Sequence, residues 1–162
     1  MTSIQDLTLE KAVDFAVQTE RLGHELYCAL ANRFRDDSEL RELFSTLAEE
    51  EEHHAGYFTG LRERLGNVPL SPEDQQYLRA ISLSDIFAES LGDGFDAVKT
   101  RKDALAKAFE LERTTLGYYQ ALNQIMPNEI LDEMIAEEKR HLVRVMSHMM
   151  TGATVRGLGD AF

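Results

Sequence analysis

The chain has 162 residues, 43% of them hydrophobic, and its 29 acidic and 17 basic side chains give a formal charge of −12. That length supports one well-buried core and not two ordinary domains, and the charge repels phosphate backbones and anionic membranes, so neither nucleic acid nor a membrane surface is an expected partner. The one cysteine, Cys28, excludes an internal disulfide and any four-cysteine metal site carried by this chain alone.

Prolines occur only at positions 69, 72 and 127, and Ala, Leu, Glu, Arg and Lys fill the stretches between them, so an all-α fold is expected. Met1 to Leu7 show no basic segment followed by an apolar run, and no stretch approaches the roughly twenty apolar residues that span a bilayer. A reducing, cytoplasmic setting is the expectation.

Apolar residues recur at helical spacing from about Leu9 to Phe34, with Thr8 as N-cap and the polar cluster Arg35 to Ser38 as the end of the run. A second helix from Glu39 or Leu40 to about Leu65 stops at Gly66-Asn67, with Pro69 just beyond. Between Asn67 and about Asp96 the pattern weakens: Ser71-Pro72-Glu73-Asp74 can start one short helix and Ser82 to Ser90 another, and Leu91-Gly92-Asp93-Gly94 breaks the chain. A third long helix is expected from roughly Ala97 to Ile125, and Pro127-Asn128 links it to a fourth that ends near Thr151. Residues 1–151 then form one four-helix bundle, two antiparallel hairpins joined by a long crossover, and residues 152–162, with three glycines, form an irregular tail.

Within this frame one pattern occurs twice. A Glu stands seven residues before a Tyr, and Glu-x-x-His follows inside the next long helix: Glu20, Tyr27, Glu51 and His54 in the first half, Glu112, Tyr119, Glu138 and His141 in the second. Steps of seven fix the register. From Glu51 they reach Phe44 and Phe58, and from His54 they reach Leu47 and Leu61, so both face the core. The rival pair, Glu50 and His53, shares its face with Leu43, Thr46, Tyr57 and Gly60, a more mixed stripe, and Glu50→Ala is expected to cost little. Glu138 falls in line with Leu131 and Val145, His141 with Met134, Glu20 with Val13 and Tyr27, and Glu112 with Leu105 and Tyr119.

Four carboxylates on core faces would be prohibitive without compensation. Two divalent cations balance their charge, and bridging carboxylates with one imidazole per metal suit iron or manganese pairs better than structural zinc. Tyr27 and Tyr119 are placed to steady carboxylates across the bundle. The remaining histidines, His24, His53 and His148, are read as surface or satisfied side chains and Cys28 as a small buried one. Met134, Met146, Met149 and Met150 are read as core or dimer packing, and the run Glu49 to Glu52 as a solvated face from which Glu51 alone turns inward.

On these residues the chain resembles the rubrerythrin-like branch of the ferritin-like superfamily of di-iron carboxylate proteins, over about Leu9 to Met150. The resemblance implies a ferritin-like bundle with two iron ions, for which manganese or zinc can substitute, on Glu20, Glu51, His54, Glu112, Glu138 and His141. Glu51 and Glu138 would be the bridging, catalytic carboxylates. It also implies chemistry with peroxide or dioxygen in protection against oxidative stress, and often a homodimer. Two departures stand out. Rubrerythrins proper carry a rubredoxin-like four-cysteine module, so electrons here must come from a separate donor protein. They also tend to place an extra glutamate three residues from the third-helix ligand, where this chain has Phe109 and Thr115. Ferroxidase or iron-handling activity, and non-catalytic metal binding, are the alternative expectations for the same ligand set.

Overall fold

Local capping chemistry sets where the helices begin. The computed structural model describes residues 7–81 and 93–159, with side chains as far as Thr151. Thr8 is extended and its hydroxyl accepts from the Lys11 N–H at 3.3 Å, which opens α1, Leu9–Arg33. Asp37 does the same for α2, Ser38–Arg64, by accepting from Leu40 N. In α3, Pro72–Ala80, Ser71 is the cap and Pro72 occupies a first-turn position whose N–H would be unbonded anyway. A single turn, α4, covers Asp93–Asp96, and Asn128 accepts from Ile130 N at 2.8 Å at the start of α6, Glu129–Gly159.

Two boundaries differ from expectation, each for a local reason. The third long helix, α5, spans Arg101–Ile125 and starts four residues later than the apolar pattern suggests. A reciprocal capping box between Thr100 and Asp103 fixes that start, with Lys99 N and Thr100 N both bonded to Asp103 Oδ2 at 3.0 Å. The end of α2 falls where expected: the helix stops at Arg64 and Leu65 turns extended, with no positive φ at any described glycine. The irregular tail expected over 152–162 is replaced by a continuation of α6 to Gly159. The short helix expected at Ser82 to Ser90, and the Leu91-Gly92 part of the expected break, lie outside the described residues.

The described residues form no strand. One isolated antiparallel bridge pairs Thr8 with Pro69, flanked by Leu9 N to Val68 O and Leu70 N to Leu7 O at 3.0 and 3.1 Å. These bonds tie the start of α1 to the chain just past α2.

Contacts between neighbours run α1 to α2, α2 to α6, α6 to α5 and α5 back to α1, which closes a four-helix ring, with α3 laid on α5. At one end, Arg33 donates to Phe95 O and Val98 O, and Arg101 pairs with Asp37 and Glu39, so the end of α1 and the starts of α2 and α5 lie together. The fold is therefore an all-α, ferritin-like bundle of two antiparallel hairpins with a long crossover. Its interior is apolar, with Val13, Leu30, Phe44, Leu47, Phe58, Leu122 and Val145 among the buried side chains. Around mid-length, polar residues interrupt that core.

Candidate metal centre

The interruption consists of Glu20, Glu51, His54, Glu112, Glu138 and His141, all buried, one or two from each long helix. Helical periodicity alone puts them there. Phe44, Phe58, Leu47 and Leu61 share the inward stripe of Glu51 and His54 and are buried with them, whereas Glu50 is half-buried and His53 exposed.

The imidazoles lie side by side, centroids 5.1 Å apart and planes 16° from parallel, and both turn Nδ1 toward the carboxylates. His54 Nδ1 is 3.4 Å from Glu20 Oε2 and 3.1 Å from Glu138 Oε1. His141 Nδ1 is 3.4 Å from Glu51 Oε1, 3.4 Å from Glu112 Oε2 and 3.8 Å from Glu138 Oε2. Each histidine thus meets the lone glutamate of its own hairpin and the Glu-x-x-His glutamate of the other. That exchange gives Glu51 and Glu138 the position of carboxylates lying between two sites. One ligand atom from each of Glu51, His54, Glu138 and His141 falls within 4.8 Å of the others.

Tyrosine hydroxyls hold the two remaining carboxylates from opposite hairpins. Tyr27 donates to Glu112 Oε1 and Tyr119 to Glu20 Oε1, and both rings are fully buried. Burial, then the nearby carboxylate charges, pushes both phenols well above their ordinary pKa, so they remain protonated donors.

Burial, followed by the charges of Glu20 and Glu138, raises Glu51 well above the ordinary carboxylate range; burial and the charges of Glu112 and Glu20 do the same to Glu138. Burial also pushes Glu20 upward, but its contacts with Glu51, His54 and Tyr119 outweigh that and hold it low. In His141 burial is outweighed by Glu112 and Glu138, so its pKa rises to about 9, and His54 is raised in the same way by Glu20. Without a cation, the cluster retains protons to limit its charge.

Six buried atoms nevertheless lack a hydrogen-bond partner: Glu20 Oε2, both oxygens of Glu138, His54 Nδ1, and both ring nitrogens of His141. Buried polar atoms are seldom left so. Convergent carboxylate oxygens with one Nδ1 per histidine form the donor set of a pair of divalent cations, and the residues fit that group.

Some residues fall elsewhere than the sequence suggests. Cys28 is exposed and not buried, its sulfur 3.6 Å from His24 Nε2; a step of seven puts it in line with the polar side chains Asp14 and Arg21. His24 Nδ1–H donates to Ala48 O at 2.7 Å and His148 Nδ1–H to Arg144 O at 2.9 Å, so both are satisfied. Met134 is buried, but Met146 and Met150 are exposed. Glu50, read as part of a solvated face, lies with Oε2 2.9 Å from His141 Nε2 and 2.8 Å from an Arg144 guanidinium nitrogen. The signal available for it was Arg144, three residues past His141 and so on the same side of α6. Gly23, one turn past Glu20, lies against the Glu51 carboxylate, where an added Cβ would be 3.4 Å from Glu51 Cδ.

Residues 11–81 match the family model described as rubrerythrin. Over that span the chain is similar to the rubrerythrins. The match covers α1 to α3 and therefore Glu20, Glu51 and His54, whereas Glu112, Glu138 and His141 lie past it and are placed by the geometry above. Comparison with curated proteins and with solved structures found no match. No helix among the described residues is long and apolar enough to cross a membrane.

Proposed function

We propose that this rubrerythrin-like chain is a di-iron carboxylate oxidoreductase that acts on peroxide or dioxygen, with electrons from a separate donor protein. The observation that carries the proposal is the set of buried atoms without a hydrogen bond that converge between the hairpins: Glu20 Oε2, both oxygens of Glu138, and the Nδ1 of His54 and of His141. Two Fe(II) ions held there would supply one electron each, which with two protons matches reduction of peroxide to two waters without release of a radical.

The protein's own contribution is charge, orientation and exclusion of water. Glu20 and Glu112 each keep one oxygen on a tyrosine hydroxyl, which leaves the other for a cation. Glu51 and Glu138 lie between the two histidines and would bridge. Phe44 and Phe58, both fully buried, keep bulk water from the carboxylates, so charge interactions within the site are strong. With one cysteine among the 162 residues, the reading takes its electrons from a separate donor protein, and a homodimer goes with the same reading.

Iron oxidation for handling or storage is the second reading, and one observation favours it. Thr115, buried one turn past Glu112, gives a hydroxyl where rubrerythrins tend to have a further carboxylate.

Elemental analysis of aerobically purified protein should find about two irons per chain, and His54→Ala with His141→Ala should remove most of them. Stopped-flow mixing of the diferrous protein with peroxide or dioxygen then tests the activity: oxidation by neither would refute it. Faster oxidation by dioxygen than by peroxide, with release of Fe(III), would select the second reading.

A further inference from the structure

The two hairpins match at the cluster and differ just behind it. Glu50 and Glu137 hold equivalent places, each one residue before a cluster glutamate. Glu50 reaches across to the other hairpin's histidine, His141, and Arg144 holds it there. His141 is fully buried. In the other half the place three residues past the histidine is Tyr57, which is exposed, and Glu137 bonds through both oxygens to Arg140 on its own helix.

This difference leaves a small part of the His54 ring at the surface where His141 is closed. A cleft of about 370 Å³ lies between α2 and α6, with the buried His54 and Met134 as its floor and exposed His53, Tyr57, Glu133 and Ala136 at its rim. His54 keeps 4% of its surface exposed, and its Nδ1 is one of the unpartnered atoms. The titratable lining comprises Glu50, Glu133, Glu137, Arg140, Tyr57 and the two histidines; Glu50 is paired with Arg144 and Glu137 with Arg140, so Glu133 carries the excess negative charge. Two other clefts, of about 440 and 410 Å³, are lined by no cluster residue.

We propose that the cleft behind His54 is the route by which divalent cations reach the centre, with Glu133, which makes no ion pair among the described residues, collecting the cation at the rim. The inference rests on the reading of the cluster as a cation site. A concave, net-negative opening with low-dielectric walls raises the local cation concentration and the association rate. Glu133 stands one helical turn before Glu137 on α6, and the Glu137 carboxylate, held through both oxygens by Arg140, adds its negative potential beside the path to His54. On the opposite side the Glu50–Arg144 ion pair closes the approach to His141, which is fully buried.

The test is the rate at which metal-free protein takes up Co(II), followed by the visible absorption of the bound ion. Glu133→Gln with Glu137→Gln, and separately Ala136→Trp at the rim, should slow uptake by about tenfold and leave the final stoichiometry at about two per chain. Glu39→Gln with Glu42→Gln, in the 440 Å³ cleft, should leave the rate unchanged. Uptake at the wild-type rate in both His54-side variants, or equal slowing in the Glu39 and Glu42 variant, would overturn the route while the centre stands. No Co(II) bound by the wild type at equilibrium would overturn the centre, and the route with it.

Discussion

The Tyr119 hydroxyl on α5 donates to Glu20 Oε1 on α1, ninety-nine positions away in sequence. Tyr119→Phe removes the hydroxyl and leaves a fully buried carboxylate without its donor. A loss of about 1–3 kcal/mol in the stability of the metal-free protein is expected, together with about tenfold weaker metal binding. Tyr118→Phe is the comparison. Its hydroxyl donates to Ala12 O at 2.7 Å, away from the cluster, so melting temperature should fall while Co(II) affinity, measured by competition with a chelator, stays put.

The metal-free protein should lose stability as pH rises. His141 has a pKa of about 9 in the fold against 6.5 for the free side chain, so its proton stabilises the fold fully below about pH 6.5. That contribution is lost as pH rises through about 9. Glu51 and Glu138 are raised from 4.5 and His54 from 6.5, and all three act in the same sense; Glu20, lowered from 4.5, acts oppositely but only at the acid end. Thermal unfolding of chelator-treated protein from about pH 6 to 9 should show a falling midpoint. Added metal should flatten that slope, because bound cations replace the protons.

Glu50→Ala should lower metal affinity by about tenfold, because His141 loses the carboxylate behind Nε2 that helps to fix its ring. Glu49→Ala, one residue away and exposed, should be silent in the same titration. Equal affinities for the two variants would show that Glu50 serves the surface only.

Glu138→Gln separates folding from binding. Both oxygens of Glu138 are buried without a hydrogen-bond partner, and burial has raised its pKa well above the ordinary range. Removing its charge should raise the melting temperature of the metal-free protein at about pH 8 and remove most binding of the second cation. A variant that melts lower and still binds two cations would contradict both halves of this expectation.

The bundle was legible because long amphipathic helices advertise themselves by period, and the same period put Glu51 and His54 inward over Glu50 and His53. What remained hidden depends on contacts between distant segments. Glu50 lies on a mixed stripe, and nothing near it in sequence signals Arg144, 94 positions on. Cys28 follows a buried tyrosine, but that single step turns it onto the polar side of α1. The start of α5 was set by two capping side chains and not by its apolar residues. The family-model match reaches only the first half of the cluster, since the matched span ends at Ile81; the second half rests on the repeated Glu, Tyr and Glu-x-x-His pattern.

Each hairpin is closed on itself, the first even by the backbone bonds that join Leu7 and Leu9 to Leu70 and Val68. The cluster, in contrast, lies on the seam between hairpins, and neither hairpin holds a complete set of donors. A cation bound there is a cross-link between distant parts of the chain, as a disulfide would be in an oxidised protein. In a chain whose single thiol lies at the surface, rigidity along that seam would then vary with metal supply: starved protein should exchange its core amides faster at the α1–α5 and α2–α6 contacts than within either hairpin.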